Sequence, residues 1–362
     1  MRIADAKVHQ VAVPPGYSWA FVEVVTDEGI TGIGEMNPSA PRSECLQALR
    51  QIAENLRGED PRQIIGLTRR LMDLGLDSAG VVALSAVEQG LWDLLGKSLH
   101  APLYQLLGGR CHADIHLYAN ITRATYELTP EAFARSAAGA VANGFDTVKI
   151  APLGGRLFER DRAASIANAI DCVHTVRDTI GPDVDLMLDC YGILDVDEAL
   201  LVANEVAGAN LYWLEEPVAE ADVDGYRRVK AESGLRLAGG ERSAFRQGFH
   251  PALDNHMVDV VMPDVSICGG VADLHHMAAM AQARGMMTAP HGPFGPVIEA
   301  VQAQVMMAHP GFLILEYAWG QVDWREQLIL PAEQIIAGRM VLSDRPGHGI
   351  ELDQDTLKAH KL

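Results

Sequence analysis

Three acidic residues recur at an even interval: Asp189, Glu215 and Glu241, 26 residues apart each time (215 − 189 and 241 − 215). Each closes a short apolar run: DLMLD, LYWLE and LRLAGGE. If those runs are neighbouring parallel strands, about 4.8 Å apart, the carboxylates converge within reach of one ion. Converging carboxylates repel one another unless a cation sits among them. Hard oxygen ligands with room for water suit Mg²⁺. The alternative is three solvated surface acids, which is what most Asp and Glu are. The even spacing and the strand-end context argue against it.

Asp264 and His291 close the next two runs, DVVMPD and MMTAPH. A carboxylate beside an imidazole fixes its tautomer and raises its basicity, which makes a general base. A structural histidine capped by its neighbour is the alternative. Lys149 and Glu316 close one run before this set and one after it. Side chains alternate along a strand, so Asp189 and Tyr191 share a face and Cys190 takes the other. By the same rule Lys149 shares a face with Ala151. His116, His275 and His276 fall on helices or strand starts and read as structural or surface residues.

Repeated elements must position these residues. From about His116, an amphipathic helix ends at a glycine and a short apolar strand follows. Thr129-Pro130 opens a helix that stops at Gly144. Gly181, Gly208, Gly234, Gly285 and Gly311 precede later strands. Glycine is the expected residue just past a helix end. Helix and strand alternating with a turnover near 25 residues imply parallel strands joined by helices. With HLYANI (116–121) as the first, about eight strands are expected, enough to close a (β/α) barrel. In such a barrel, catalytic groups sit at the C-terminal strand ends. A doubly wound open sheet is the alternative, weakened by the lack of a G-x-G-x-x-G turn after the first strand.

The residues before 115 read differently, as a small α+β unit. Residues 2–13 predict a strand. Trp19–Thr26 and Thr31–Met36 predict a hairpin about Asp27-Glu28-Gly29. Three helices follow: Glu44–Arg57, one opening at Asp60-Pro61 as N-cap and N1, and Val81–Lys97. The expected division is a capping domain over 1–115, a barrel over 116–325, and a tail over 326–362 that packs back on the cap.

The formal net charge of −19 argues against nucleic acid and anionic membrane surfaces as partners. It leaves a small anionic substrate open, because a bound cation reverses the local field. The five cysteines are scattered and form no C-x-x-C pair, which fits a reducing compartment. No signal-peptide pattern and no run of eighteen apolar residues is present, so a soluble cytoplasmic protein is expected.

Taken together, these stretches resemble the enolase superfamily, in the branch of mandelate racemase and the acid sugar dehydratases. EVVTDEGITGIGEMNPS (23–39) is similar to the family's N-terminal hairpin. ALSAVEQGLWDLLGKSLHAPLYQLLGG (83–109) is similar to its signature helix, with Gly90 where alanine is usual. LDCYG, WLEEPV and AGGER resemble the metal-ligand strand ends, which implies Asp189, Glu215 and Glu241 as ligands of Mg²⁺. MPDVSICGGV and APHGPFGP imply Asp264 and His291 as the dyad. LEYAW implies Glu316 as hydrogen-bond partner of the substrate's oxygens, which requires a protonated carboxyl. The mechanism that the resemblance implies is removal of the proton next to a carboxylate, with Mg²⁺ stabilising the ene-diolate.

Two departures from the family pattern bear on the reaction. The K-x-K of racemases and cycloisomerases is here Lys149-Ile150-Ala151, which makes cycloisomerisation the least expected reaction. The D-x-H of galactonate-dehydratase-like members is here Asp189-Cys190-Tyr191. Dehydration of a sugar acid to a 2-keto-3-deoxy acid is therefore the leading expectation. His291 would act as base and then acid, with Tyr191 as a second acid. Racemisation or epimerisation with Lys149 as second base is the alternative, and a non-catalytic sugar-acid binder or sensor is the alternative of another class. Assembly into a homo-oligomer is expected. Loops 14–19 and 37–42 would cap the mouth. The first is short, which suits a polyhydroxy acid over an aromatic one. Tyr17 and Trp19 either line that loop or belong to the hairpin.

Overall fold

The computed structural model describes the chain from residue 1 to 362 apart from Pro15, Gly154 and Asn255 and the side chains of residues 155–157 and 254. Pro15, in the first expected capping loop, thus lies outside the described residues. The Asp27-Glu28-Gly29 turn, with Gly29 at φ +80°, reverses the chain between β2 (Tyr17–Thr26) and β3 (Thr31–Met36). β1 (Ile3–Val13) pairs with the other edge of β2, so all three strands are antiparallel.

Helices α1 (Arg42–Leu56), α2 (Ile64–Met72) and α3 (Ser78–Leu99) cover one face of this sheet. α3 lies so close to β3 that a Cβ at Gly34 would stand 1.9 Å from the Ala86 carbonyl oxygen. One at Gly32 would stand 2.0 Å from the Gly90 oxygen. Glycine is what allows that approach. Gly90 is explained the same way, since a Cβ there would meet Val24 at 3.0 Å.

The expected N-cap at Asp60-Pro61 is not one. The Asp60 carboxylate accepts from the Arg62 backbone and guanidinium, and Gln63 N–H donates to the Asp60 carbonyl at 3.1 Å. That closes a turn, and α2 begins only at Ile64. The competing local acceptor defeats the cap.

A short α4 (Leu103–Leu106) leads into the parallel sheet. Its strands are β4 (Ile115–Asn120), β5 (Thr147–Ile150), β6 (Asp185–Asp189), β7 (Leu211–Glu215), β8 (Leu237–Gly239), β9 (Val260–Val261), β10 (Met287–Thr288) and β11 (Leu315–Ala318). Neighbours in sequence are neighbours in the sheet from β4 to β10, and β11 returns to β4. The stretch just before β11 also meets β10: Thr288 N–H donates to Gly311 O at 3.0 Å, and Leu313 N–H to Thr288 O at 2.9 Å. One strand thus bonds to both edges, which completes the ring expected for a (β/α)-barrel.

Seven connections between the eight strands carry helices: α5 (Pro130–Ala142), α6 (Gly155–Arg160) with α7 (Arg162–Ile180), α8 (Val196–Glu205), α9 (Val223–Ser233), α10 (Phe245–Asp254), α11 (Val271–Gln282) and α12 (Pro296–Met307). Thr129 caps α5 by accepting from Ala132 N–H, as its Thr-Pro signature predicts.

The barrel interior is filled by Tyr118, Met187, Trp213, Ala238, Met262, Ala289 and Ile314. These explain the placement of the site. With side chains alternating, the residue two positions on from each plug points the same way but higher. That residue is Asn120, Asp189, Glu215, Asp264, His291 or Glu316. Glu241 is three positions beyond Ala238. Gly240 at φ +98° absorbs the extra residue and turns the carboxylate back to the mouth.

After β11 the chain returns. β14 (Arg339–Met340) pairs with the start of β4, and β13 (Ile335–Ile336) with β14. β12 (Ile329–Leu330) pairs with β15 (Glu351–Leu352). Beyond α13 (Gln354–Ala359), Ala12 N–H donates to His360 O at 2.9 Å, and Leu362 N–H to Gln10 O at 3.1 Å. Among the described residues no helix is long and apolar enough to cross a membrane.

Candidate active site

His291 and Asp264 meet as the spacing suggested. The His291 Nδ1 lies 2.9 Å from Asp264 Oδ2. Asp264 is fully buried, and its other oxygen accepts from Ser266 N–H at 2.7 Å and Ser266 Oγ–H at 2.6 Å. Nδ1 must therefore donate, which leaves Nε2 as the basic nitrogen of a neutral ring. Nε2 faces Glu241 at 3.5 Å and Glu316 at 4.0 Å. Burial alone would depress the imidazole pKa. The Glu241 charge, the Asp264 hydrogen bond and the Glu316 charge outweigh it and lift His291 to about 10.

The three acids end consecutive strands, and Asp189 and Glu215 are register partners on β6 and β7. Even so, among the described residues no three His, Cys, Asp or Glu side chains are gathered into a ready metal cage. Glu215 is drawn to Lys149 Nζ at 2.5 Å and to Trp213 Nε1–H at 2.9 Å. Glu241 lies between His291 and Arg242, the latter at 3.5 Å. Asp189 is 3.8 Å from Lys149. The donor set nevertheless suits a hard cation, being carboxylate oxygen throughout. Burial raises the pKa of all three, and Asp189 and Glu316 push Glu215 further up. This is the electrostatic demand that a divalent ion relieves.

The surroundings of Lys149 bear on two of the expected roles. Its side chain is buried inside the barrel, 5.4 Å from the Tyr118 ring centre, and pairs with Glu215 and with Glu316 at 2.6 Å. Burial would lower its pKa, but the charges of Glu215 and Glu316 hold it well above the ordinary lysine range. A locked ammonium is a charge-balancing group and a poor second base. The same pairing disfavours the proton expected on Glu316. Burial would raise its pKa, yet the Lys149 and His291 charges hold it at about 2. Its oxygens also accept from Asn120 Nδ2–H at 2.8 Å and Gly292 N–H at 2.9 Å.

Tyr191 stands at the mouth with φ +56°, its own N–H donating to Asp189 Oδ1 at 2.8 Å. Cys190 faces the helices, as alternation requires. Trp19 does not line the site. It is fully buried and packs edge-on against Trp324 at 5.5 Å. Tyr17 is exposed at the mouth. Of the histidines set aside, His116 pairs with Asp146 at 2.7 Å and His275 with His309 at 2.7 Å.

Several partners escape a search for charged strand ends. Asn120 ends β4, a position that a strand-end rule extended to amides would have flagged. Asn37 lies in the second expected capping loop. Its Nδ2 donates to Ser266 Oγ at 3.0 Å and faces Asp264 Oδ2 at 3.4 Å. Glu35 reaches across from β3 and accepts from Gly295, Val297 and Ile298 N–H at the start of α12. Arg242 pairs with Glu216 at 2.7 Å. Nothing in the local sequence marks these pairings.

The chain is similar to known proteins along most of its length. Residues 9–108 match the mandelate racemase / muconate lactonizing enzyme N-terminal domain, and residues 132–356 the enolase C-terminal domain-like family. The chain is 30% identical to D-gluconate dehydratase of Thermoproteus tenax, over 94% of this chain and 69% of that protein. It is 29% identical to D-xylonate dehydratase of Haloferax volcanii, over 99% and 90%. A solved mandelate racemase/muconate lactonizing enzyme from Jannaschia sp. CCS1 superposes with a TM-score of 0.90 at 27% identity, covering 100% of this chain and 98% of that one. With both halves of the chain matched and relatives that are sugar-acid dehydratases, this enzyme belongs to the enolase superfamily, in its mandelate racemase and acid sugar dehydratase branch.

Proposed function

We propose that the enzyme removes the proton α to the carboxylate of a sugar acid and expels the β-hydroxyl, giving a 2-keto-3-deoxy acid. The observation that carries this reading is the one-sidedness of the site. His291 presents one basic nitrogen, held by Asp264, on one side, while the opposite candidate, Lys149, is locked between Glu215 and Glu316. Epimerisation needs a base on each face. Elimination needs one base and an acid. Most of the relatives' names support it, as dehydratases of D-gluconate, D-xylonate and D-galactonate, beside one cycloisomerase of D-galactarolactone.

Asp189, Glu215 and Glu241 are the residues proposed to hold Mg²⁺. Bound there, the ion supplies a Lewis acid that offsets the second negative charge created when the α-proton leaves. Asp264 fixes the His291 tautomer so that Nε2 accepts that proton. The Glu241 carboxylate that lifts His291 to about 10 is also a proposed ligand. A cation sharing its charge removes the main attraction holding a proton on the ring. Lys149 balances the carboxylates beneath, and Glu316 orients substrate as a hydrogen-bond acceptor. His291, once protonated, carries the proton that the leaving hydroxyl requires. Residues 1–115 act as the cap, 116–325 as the catalytic barrel and 326–362 as the tail binding the two.

The deciding experiment is a sugar-acid library with and without EDTA, with product analysis. A 2-keto-3-deoxy product that vanishes with EDTA and returns with Mg²⁺ supports the reading. An intact skeleton inverted at C2, or activity indifferent to EDTA, defeats it.

A further inference from the structure

His291 lies beyond the end of its strand. β10 stops at Thr288, and Ala289 N–H still donates to Val261 O at 2.9 Å. The segment that follows, His291-Gly292-Pro293-Phe294-Gly295-Pro296, carries two glycines and two prolines. Glycine leaves the backbone free and proline removes its donor, so side chains from elsewhere must fix the path. Gly292 N–H donates to Glu316 at 2.9 Å, and Gly295 N–H to Glu35 at 2.8 Å. Between them, Phe294 O accepts from Arg325 Nη1–H at 2.6 Å.

Arg325 lies in a short 3₁₀ turn (Arg325–Gln327) and is buried. Its guanidinium carbon is 5.6 Å from the ring centre of Trp19, in the cap, and 5.2 Å from that of Tyr317, on β11. Nη2–H donates to Glu299 at 2.6 Å, while Nε and Nη2 each donate to a different oxygen of Glu333 at 3.1 Å. Glu299, on α12, also accepts from Ala318 N–H at 3.0 Å, two residues beyond Glu316. One planar fork of donors thus meets a carbonyl and two carboxylates at once.

Charge balance explains Glu299 and Glu333. It does not explain the Phe294 carbonyl, which has no charge to balance. The Phe294 ring stands edge-on to the His291 imidazole, with centres 5.4 Å apart and planes at 80°. A hydrogen bond at Nδ1 alone lets the imidazole pivot about that contact. An aromatic ring packed against it limits the pivot. Asp264 therefore selects the basic nitrogen, and Phe294 limits where that nitrogen points.

We propose that Arg325 is a positioning residue for the base: by pinning the Phe294 carbonyl it sets where His291 Nε2 stands relative to the substrate's α-carbon. This rests on the reading of His291 as base.

The test compares Arg325→Lys with Glu333→Gln. Lysine keeps the charge that Glu299 and Glu333 require, but one ammonium lacks the fork that also reaches Phe294 O. Glutamine removes a charge from the same network and leaves the Phe294 contact in place. Both variants should melt below the wild type. On a sugar acid that the wild type turns over, Arg325→Lys should lower kcat about 10–100-fold, the scale of a misplacement near 1 Å. KM should stay close to wild type, and Glu333→Gln should keep both constants. Phe294→Leu leaves the ion pairs whole and should show the same kcat loss, so it reads the coupling even if the lysine variant does not fold. Adding Arg325→Lys to Phe294→Leu should cost little more, because residues that act through one another are not additive. A normal kcat in Arg325→Lys or Phe294→Leu, equal losses in Arg325→Lys and Glu333→Gln, or a full second loss in the double variant overturns the proposal. Crystal structures of the wild type and Arg325→Lys need no turnover. The Phe294 carbonyl and the His291 ring should shift together, and an unmoved ring overturns the proposal. His291→Asn tests the base separately. Exchange of the α-hydrogen surviving in that variant would sink the base and leave the coupling of Arg325 to His291 standing on the crystal structures. Exchange lost there, with Arg325→Lys unaltered, would do the reverse.

Discussion

Asn37 and Asp264 lie 227 residues apart in sequence and 3.4 Å apart at the centre of the site. The same amide donates to Ser266 Oγ, which in turn donates to Asp264. The capping domain therefore helps to hold the carboxylate that orients His291. Asn37→Ala should lower kcat about 10–100-fold, the usual cost of a lost hydrogen bond to a charged group. Mg²⁺ affinity should stay close to wild type, since no proposed ligand is touched. The pH–rate profile should also move, because a looser Asp264 changes the basicity of His291. A loss confined to KM, with kcat and the profile intact, would assign Asn37 to substrate contact alone.

Lys149 is the positive centre beneath three carboxylates. Lys149→Met keeps the length and removes the charge, leaving Glu215 and Glu316 buried and unpaired. Breaking a buried pair in this way costs about 3–5 kcal/mol. Urea unfolding should register that loss at pH 8. It should shrink toward pH 6, where protonating either carboxylate removes the unpaired charge. A pH-independent loss would mean that the deficit is one of packing.

The sites that were legible share one property. Asp189, Glu215, Asp264, His291 and Glu316 each follow a barrel plug by two positions, so strand periodicity and strand-end chemistry are enough to find them. Glu241 breaks the period, and only the Gly239-Gly240 pair hints at the correction. What depends on pairing across the fold was hidden. The partner of Glu316 is Lys149, which sits on another strand. Asn37, Ser266 and Asn120 are neutral and ordinary in their local sequence. Asp60 shows the opposite failure, because a local signal was present but Arg62 and Gln63 offered the carboxylate and carbonyl better partners.

Glu88 gives a pH test of the cap–barrel contact. It is buried on α3 and accepts from Val271 N–H at 2.6 Å, Ala272 N–H at 3.1 Å and Trp92 Nε1–H at 2.7 Å. Burial raises its pKa to about 8. A raised carboxyl pKa means that the folded state keeps a proton which the unfolded chain loses near 4.5. The stability it brings is complete below that value and is lost as pH rises through about 8. Glu35, at about 7, acts in the same direction. His309 and His348, held at about 4, lose their contribution only as pH falls below 6.5. Between pH 6.5 and 8 the wild-type unfolding free energy should therefore decline. Glu88→Gln should flatten that decline by up to about 1.4 kcal/mol per pH unit. An unchanged slope would show that the α11 N-terminus holds Glu88 ionised throughout.

The acid that serves the leaving hydroxyl is the remaining choice, between His291 and Tyr191. Tyr191 lies beside Asp189, and burial together with that charge raises its phenol pKa. It is therefore the weaker acid of the two. In the proposed reaction His291 takes up the α-proton, and with Glu241 and Glu316 about its Nε2 it would hold a transferable proton on the side where the base acts. An elimination in which one group removes the proton and returns it to the hydroxyl must be syn. His291→Asn should abolish both α-hydrogen exchange in D₂O and dehydration. Tyr191→Phe should retain exchange and keep dehydration within about tenfold of wild type, less than the 10²–10⁴-fold that a general acid contributes. A Tyr191→Phe enzyme that exchanges freely and no longer dehydrates would transfer the acid's role to the tyrosine. The elimination would then run between two residues on different strands, and its stereochemistry on a C3-labelled substrate would no longer be tied to His291.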